Sequence, residues 1–321
     1  MRTPEELKEY YDRELMPALK EVEARRKSVL LSVLAVVAVG FAVMASTFIL
    51  APFLGCLAVI PFLGGALILG GGYHYVTRGY IRDFKANVMV KVIRLVDEGL
   101  TYAPAAGMTE SVYADSRLFP SHVDRYSCED KVSGVIGKTA VEFSEVHSEY
   151  KTEHRDSKGR QHTEWHTIFK GLFFAADFNK NFNGLTLVLP DTAQNWFGEA
   201  LGSFLQSHNI GRPDLVKLED PEFEKLFVVY GSDQVEARYI LSPSLMERMT
   251  SYRKKTGRKV HFSFNKSKIY VAISCDENLF EPRIFRTMLD LSIVKKYIDD
   301  VKLAVEIVDD LNLNTRIWGK E

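Results

Sequence analysis

Formal charge is missing from one long stretch of this 321-residue chain: from position 29 to position 77 there is no Asp, Glu, Lys or Arg. Cysteine is nearly absent too. Cys56, Cys128 and Cys275 are odd in number, far apart and never in a Cys-x-x-Cys pair, which excludes a disulfide framework or a zinc knuckle. Free thiols in a reducing compartment are the expected state. No excess of one sign exists either, with 41 Lys and Arg against 42 Asp and Glu. That balance excludes the basic footprint of a nucleic-acid protein. No low-complexity tract, Pro-rich linker or internal repeat is present, so neither a disordered chain nor a solenoid is expected. A Gly-x-Ser-x-Gly elbow and the kinase signatures are also missing.

The charge-free run is too long for one membrane span, since about 20 apolar residues in a helix cross a bilayer core. Two spans and a tight turn fit it. The first is placed at 29–50 and the second at 53–76, with the turn at Ala51-Pro52, because proline ends one helix readily and opens the next. Ala38, Ala42 and Ser46 on the first helix, and Ala66 and Gly70 on the second, are spaced by four, as in faces where helix backbones approach closely. A cleavable signal peptide is not expected, because the charged stretch ahead of the run is too long and no cleavage site follows it. Arg25, Arg26 and Lys27 precede the first span; Arg78, Arg82 and Lys85 follow the second; the turn has no Lys or Arg. Cytosolic loops hold the excess of these residues. The expected location is therefore a bacterial inner (cytoplasmic) membrane, crossed twice, with both termini in the cytoplasm.

Four segments follow: a charged helix over 1–27, a transmembrane helical hairpin over 28–77, an amphipathic connecting helix over 78–104 and a cytosolic α+β domain over 105–321. Ile81, Phe84, Val88, Val92, Leu95 and Val96 give the connecting helix its spacing of three and four. Its few basic residues favour a stalk and core helix over one lying in the lipid interface. Alternation over 139–150 and a β-branched, aromatic run over 164–178 predict a long hairpin. Asn183-Gly184 is a turn signal leading into a buried strand at 185–189. Strands are predicted at 227–230 and 236–241, helices at 196–208 and 283–313, and a helix opened by Ser242-Pro243 and closed near Gly257. A second hairpin spans 259–274 across Asn265-Lys266. Hairpins without a βαβ rhythm give an α+β class with a mainly antiparallel sheet and flanking helices.

The stretches Tyr126–Glu145 (YSCEDKVSGVIGKTAVEFSE), Phe169–Asp191 (FKGLFFAADFNKNFNGLTLVLPD) and Phe223–Met249 resemble a bacterial membrane-anchored family catalogued only as a domain of unknown function. The resemblance implies a charged helix, a two-helix membrane hairpin and a cytosolic α+β domain. It carries no activity and no catalytic residues.

Gly134 to Thr139 imitates a phosphate loop, but the position needing the first glycine holds Val132 and a strand follows instead of a helix. A glycine-assisted strand turn accounts for it. Asp177, Asn179 and Asn181 imitate a calcium loop, but Phe182 and Val188 stand where glycine and glutamate are required. Phe169, Phe173, Phe174, Phe178 and Phe182 are expected to alternate between the faces of the sheet, with Trp165 and Trp196 capping the core.

The hairpin 145–166 holds four of the eight histidines. His162, Glu164 and His166 share one strand face, as do Glu145, His147 and Glu149 on the partner. If the register brought those faces together, His147, His162, Glu164 and His166 would suit a divalent metal such as zinc or manganese. A solvated, charged hairpin is the plainer reading. The sequence therefore points to a membrane-tethered cytosolic binding or scaffold module without an evident enzymatic centre and without a cofactor. Its partners would be the bilayer through 28–77 and an unidentified protein or small ligand, not nucleic acid. The alternative is a metal-dependent hydrolase using the histidine hairpin.

Overall fold

A computed structural model describes residues 8–155, 160–178, 180, 182–191 and 214–314, apart from the side chains at 54, 56 and 58. The chain divides into two compact units, Met1–Val96 with Phe280–Ile298, and Asp97–Leu279 with Asp299–Glu321.

In the first unit the charged segment, from Lys8 onward, runs without a break into the apolar one. A π turn, Tyr11–Leu15, leads into helix α1, Met16–Leu54, with Pro17 in its first turn. The reversal is not at Ala51-Pro52 as expected. Pro52 lies inside the last turn of α1, and a 3-10 turn, Gly55–Ala58, makes the corner. Gly55 ends the helix at φ 54°, a conformation glycine takes without a Cβ clash. The return path is one nearly continuous helical rod: α2 (Val59–Leu67), α3 (Tyr73–Phe84) and α4 (Val90–Val96), joined by π turns Ile68–Gly72 and Lys85–Met89. Over Lys8–Phe53 and Val59–Val96 the two helices are long and apolar enough to cross a membrane.

The two helices do not meet along the predicted stripe. Ala38, Ala42, Ala66 and Gly70 are exposed, whereas Gly40 and Gly65 are buried. A Cβ at Gly65 would lie 2.6 Å from the Gly40 carbonyl oxygen, so this pair sets the closest approach. Alanine at spacing four is common in any apolar helix; contact of one backbone on another selects glycine.

The second unit is built on a nine-stranded, wholly antiparallel sheet. Its strands are β1 (Leu100–Ala103), β2 (Arg125–Ile136), β3 (Thr139–Arg155), β4 (Gln161–Asp177), β5 (Thr186–Pro190), β6 (Asp214–Leu215), β7 (Phe227–Gly231), β8 (Val260–Asn265) and β9 (Lys268–Ser274). Their order is β1-β2-β3-β4-β9-β8-β5-β7-β6. The imitation phosphate loop is the β2–β3 turn, with Gly137 at φ 63°. The long hairpin pairs two 17-residue strands. One face of the sheet, carrying Val146, Phe169, Phe173, Leu187, Tyr270 and Ala272, packs with Tyr113 of α5 (Glu110–Asp115) and with Leu118. Phe143 and Phe174, 6.4 Å apart, are also fully buried. Of the phenylalanine series, Phe169 and Phe173 lie on one face and Phe174 on the other, while Phe178 and Phe182, also buried, follow the end of β4.

Trp165 does not cap that core. It is 40% exposed, and the Arg125 guanidinium lies 3.8 Å from its ring centre. Trp196, the helix predicted at 196–208, Asn179 and Asn181 lie outside the described residues. Helix α6, Pro221–Glu224, precedes β7. The strand expected at 236–241 is instead helix α7, Gln234–Ile240. Its alternating Val-Glu-Ala-Arg-Tyr-Ile pattern is overruled by the cap at its start. The Asp233 carboxylate accepts from the Val235 and Glu236 N–H groups at 2.7 and 3.0 Å, satisfying donors a helix leaves open. Replacing Asp233 with alanine is expected to lower stability by about 1 kcal/mol, read from denaturant midpoints of the two proteins.

Helix α8, Pro243–Thr256, ends on Gly257 at φ 64° as the sequence indicates. The β8–β9 turn is one residue later than expected, at Lys266-Ser267, both with positive φ. The last helix, α9 (Leu291–Asp310), begins eight residues after the predicted start. Asp290 defines the beginning: its carboxylate accepts from Ser292 N–H at 2.9 Å and its carbonyl from Ile293 N–H at 3.0 Å.

Candidate functional site

The histidine hairpin is decided by its register. His154 lies opposite His162, Thr152 opposite Glu164 and Tyr150 opposite His166, so even positions of β3 meet even positions of β4. His162, Glu164 and His166 therefore share a face with Tyr150, Thr152 and His154. Glu145, His147 and Glu149 are on the opposite face, since successive side chains alternate. The premise that would unite His147 with His162, Glu164 and His166 does not hold. Among the described residues, no three His, Cys, Asp or Glu side chains gather as a metal site would require. The His147 Nε2 sits 3.4 Å from Thr167 Oγ1 and 3.8 Å from Glu149 Oε1. The His166 Nε2 lies 2.8 Å from Thr152 Oγ1, with its ring stacked on Tyr150 at 4.9 Å. His162 and Glu164 are exposed. Glu145 is buried and accepts from the Leu279 N–H at 3.0 Å.

A groove of about 690 Å³ opens at the base of that hairpin. The register slips between Ser148 and Glu149, leaving Ile168 as a bulge, and bulges re-aim side chains. Ile168, Phe169 and Tyr150 form one wall. Leu118 and Phe119 form another, with the Phe119 ring 4.9 Å from Phe169 and 5.5 Å from His261. His261 comes from β8, with its Nδ1 3.4 Å from the Ala272 carbonyl oxygen. Burial pushes its imidazole down to about 4, against the upward pull of that carbonyl, so the ring is neutral at ordinary pH.

Lys170, Arg258 and Lys259 outnumber Asp276 in the lining. Two of these cations already have structural work. The Lys170 ammonium donates to the Asp276 carbonyl at 2.9 Å, and the Arg258 guanidinium donates to Cys275 Sγ. Burial raises the Cys275 thiol, with Arg258 opposing, so it is a poor nucleophile at neutral pH. A second cavity of about 550 Å³ lies between α8 and the end of α9. Two of its cations are engaged: Lys255 lies 2.9 Å from Asp310 and from the neighbouring Glu306, and the Arg248 guanidinium donates to the Asp310 carbonyl at 3.3 Å.

Sequence reasoning followed the histidine cluster and missed His261, Phe119 and the Ile168 bulge. The available signal was small. His261 and Ser263 interrupt the apolar β8 on one face, and only the partners across the sheet show that this face borders a groove.

No curated protein matches the chain. One solved structure, the crystal structure of the mycobacterial trehalose monomycolate transport factor A, TtfA, aligns at 11% identity. The alignment covers 67% of this chain and 93% of that one, with a TM-score of 0.33, too low to establish a shared fold. The model of the family described as Protein of unknown function (DUF3137) matches residues 167–313, which run from the groove strand β4 to the end of α9. That stretch, less than half of the chain, is similar to a family of unknown function.

Proposed function

We propose that the protein is a membrane-tethered binding module. Its helical hairpin holds it in a bacterial inner membrane with both ends in the cytoplasm, and its sheet unit offers the groove beside His261 to a ligand with an apolar body. The groove is the observation that carries this reading: concave, walled by Phe119, Ile168 and Phe169, with a few polar groups. Binding sites are commonly built this way. Its chemistry favours holding over turnover. The imidazole is a weak base at about 4, the thiol is raised, and Lys170 and Arg258 are engaged in the fold.

Support for the orientation comes from Lys27, Arg78 and Arg82 at the ends of the charge-free run and from the absence of Lys and Arg at its corner. A fluorescent protein fused to the carboxyl end should be bright and alkaline phosphatase at the same place inactive; the reverse pair of results removes the orientation. The groove is tested by a photoreactive benzoylphenylalanine at Phe119, with the same residue at exposed Val235 as reference. Irradiated cells should yield an adduct of defined mass at position 119. Labelling at 119 no greater than at 235 refutes the site.

A further inference from the structure

Segment 283–291 of the first unit presents Phe285, Leu289 and Leu291 to the outside at 69%, 39% and 64% exposure. On the same segment, Ile284 and Met288 are buried, at 6% and 0%. The segment is fixed to α1 by two buried groups. The Arg26 Nη1 donates to the Ile284 carbonyl at 2.8 Å, and the Glu23 Oε2 accepts from the Met288 N–H at 2.9 Å. Glu23 and Arg26 lock each other through two contacts of 2.8 Å. Arg26, first, and the Met288 N–H hold the Glu23 carboxyl down to about 2.

The height of this attachment along α1 is what matters. At about 1.5 Å per residue, Arg26 and Glu23 stand roughly 5 and 9 Å before Val29, where the charge-free run begins. The headgroup region of a bilayer is about that deep. On the return helix Tyr73 and Tyr75 are exposed near the same end of the run, at 41% and 84%, in keeping with the aromatic belt of a membrane boundary. Arg286 and Asp290, both exposed, lie in the same stretch as the three apolar residues. Cationic groups beside aromatic and aliphatic ones suit the boundary between acyl chains and anionic headgroups. Water gives such a cluster no reason to face outward.

We propose that segment 283–291 is an interfacial anchor, which dips Phe285, Leu289 and Leu291 into the lipid surface while Arg286 meets anionic headgroups. It rests on the membrane reading of the hairpin and adds a third contact with the bilayer, made by chain remote in sequence from the spans. The occupant is lipid, because the segment is held at the level where the apolar helices must leave the membrane.

The test uses the full chain in nanodiscs of three parts phosphatidylcholine to one part phosphatidylglycerol, with bromine carried either near the glycerol end or near the methyl end of the acyl chains. Phe285→Trp and Phe41→Trp are compared after subtracting the emission of the three native tryptophans. Phe41, 58% exposed near the middle of α1, reports on the span itself. The tryptophan at 285 should emit to the blue and lose most of its signal to shallow bromines, and the one at 41 to deep bromines. Quenching at 41 with solvent-like, unquenched emission at 285 overturns the anchor and leaves the hairpin standing. Blue-shifted but unquenched emission at 285 means protein covers the face, and also overturns it. Loss of quenching at both positions removes the hairpin reading and the anchor with it.

Discussion

A single methyl group at Gly171 is expected to unfold the sheet unit. Gly171 sits in β4 between Val146 of β3 and Ser274 of β9, at φ 148°, where other residues rarely go. A Cβ there would lie 2.1 Å from the Ile273 carbonyl oxygen and 2.8 Å from the Cys275 N. Both are backbone atoms, so no side-chain rotation relieves the overlap. The chain must move β9 away from β4, although the Cys275 N–H donates to the Lys170 carbonyl at 3.0 Å. Fully buried Leu172, Phe173 and Phe174 follow at once on β4, paired with Ile273, Ala272 and Val271.

Backbone strain and lost packing together place Gly171→Ala at the upper end of single substitutions, about 4 kcal/mol or more. Denaturation of the full chain in detergent, followed by tryptophan emission, should show a collapsed or absent transition. Gly79→Ala in α3 is the internal reference. A Cβ there meets nothing within 4 Å, and alanine is the better helix former by about 1 kcal/mol. An unchanged midpoint for Gly171→Ala would show that β9 yields locally, and would also question the groove, whose wall includes Lys170 and Ser274 from these two strands.

Gly171 illustrates how far the sequence could be read. Local signals named most elements: the charge-free run, the alternation of β3, Asn183-Gly184, the Ser242-Pro243 opening and the Gly257 stop of α8. Where the reading failed, a distant partner or a count of one residue decided. Helix α7 looked like a strand because period-two alternation was counted and the Asp233 cap was not. Glu236, one residue of that misread run, also accepts from the Asn183 and Gly184 N–H groups at 2.9 and 2.6 Å, linking the helix to a turn more than fifty positions away. The histidine hairpin turned on parity. Lengthening its loop by one residue would exchange the faces, so composition could gather the ligand types but not say whether they meet. His261 was overlooked because its significance lies in Phe119, a partner remote in sequence.

The hairpin itself gives the other large effect. Gly65→Leu is expected to push the two apolar helices apart. The first atom of the new side chain would already be 2.3 Å from Met44 Cγ, 2.6 Å from the Gly40 carbonyl oxygen and 3.0 Å from Met44 N. The Met44 side chain can swing aside, but the two backbone atoms cannot. In lipid, the helices associate through close packing with little hydrophobic drive between them, so a separation of even one ångström removes most of what joins them. A neighbouring pair reports on it. A Cβ built at Gly72 lies 3.8 Å from Val36 Cβ, close to the spacing of about 3.8 Å that a disulfide requires. Val36→Cys with Gly72→Cys should therefore cross-link on mild oxidation in native membranes, with the linked peptides identified by mass. Adding Gly65→Leu should lower the cross-linked share several-fold, while Ala66→Leu, at an exposed position one residue on, should leave it unchanged. Equal cross-linking in all three proteins would mean that the Gly40–Gly65 contact is not what closes the hairpin. Loss with Ala66→Leu alone would return the interface to the alanine stripe that the spacing of four suggests.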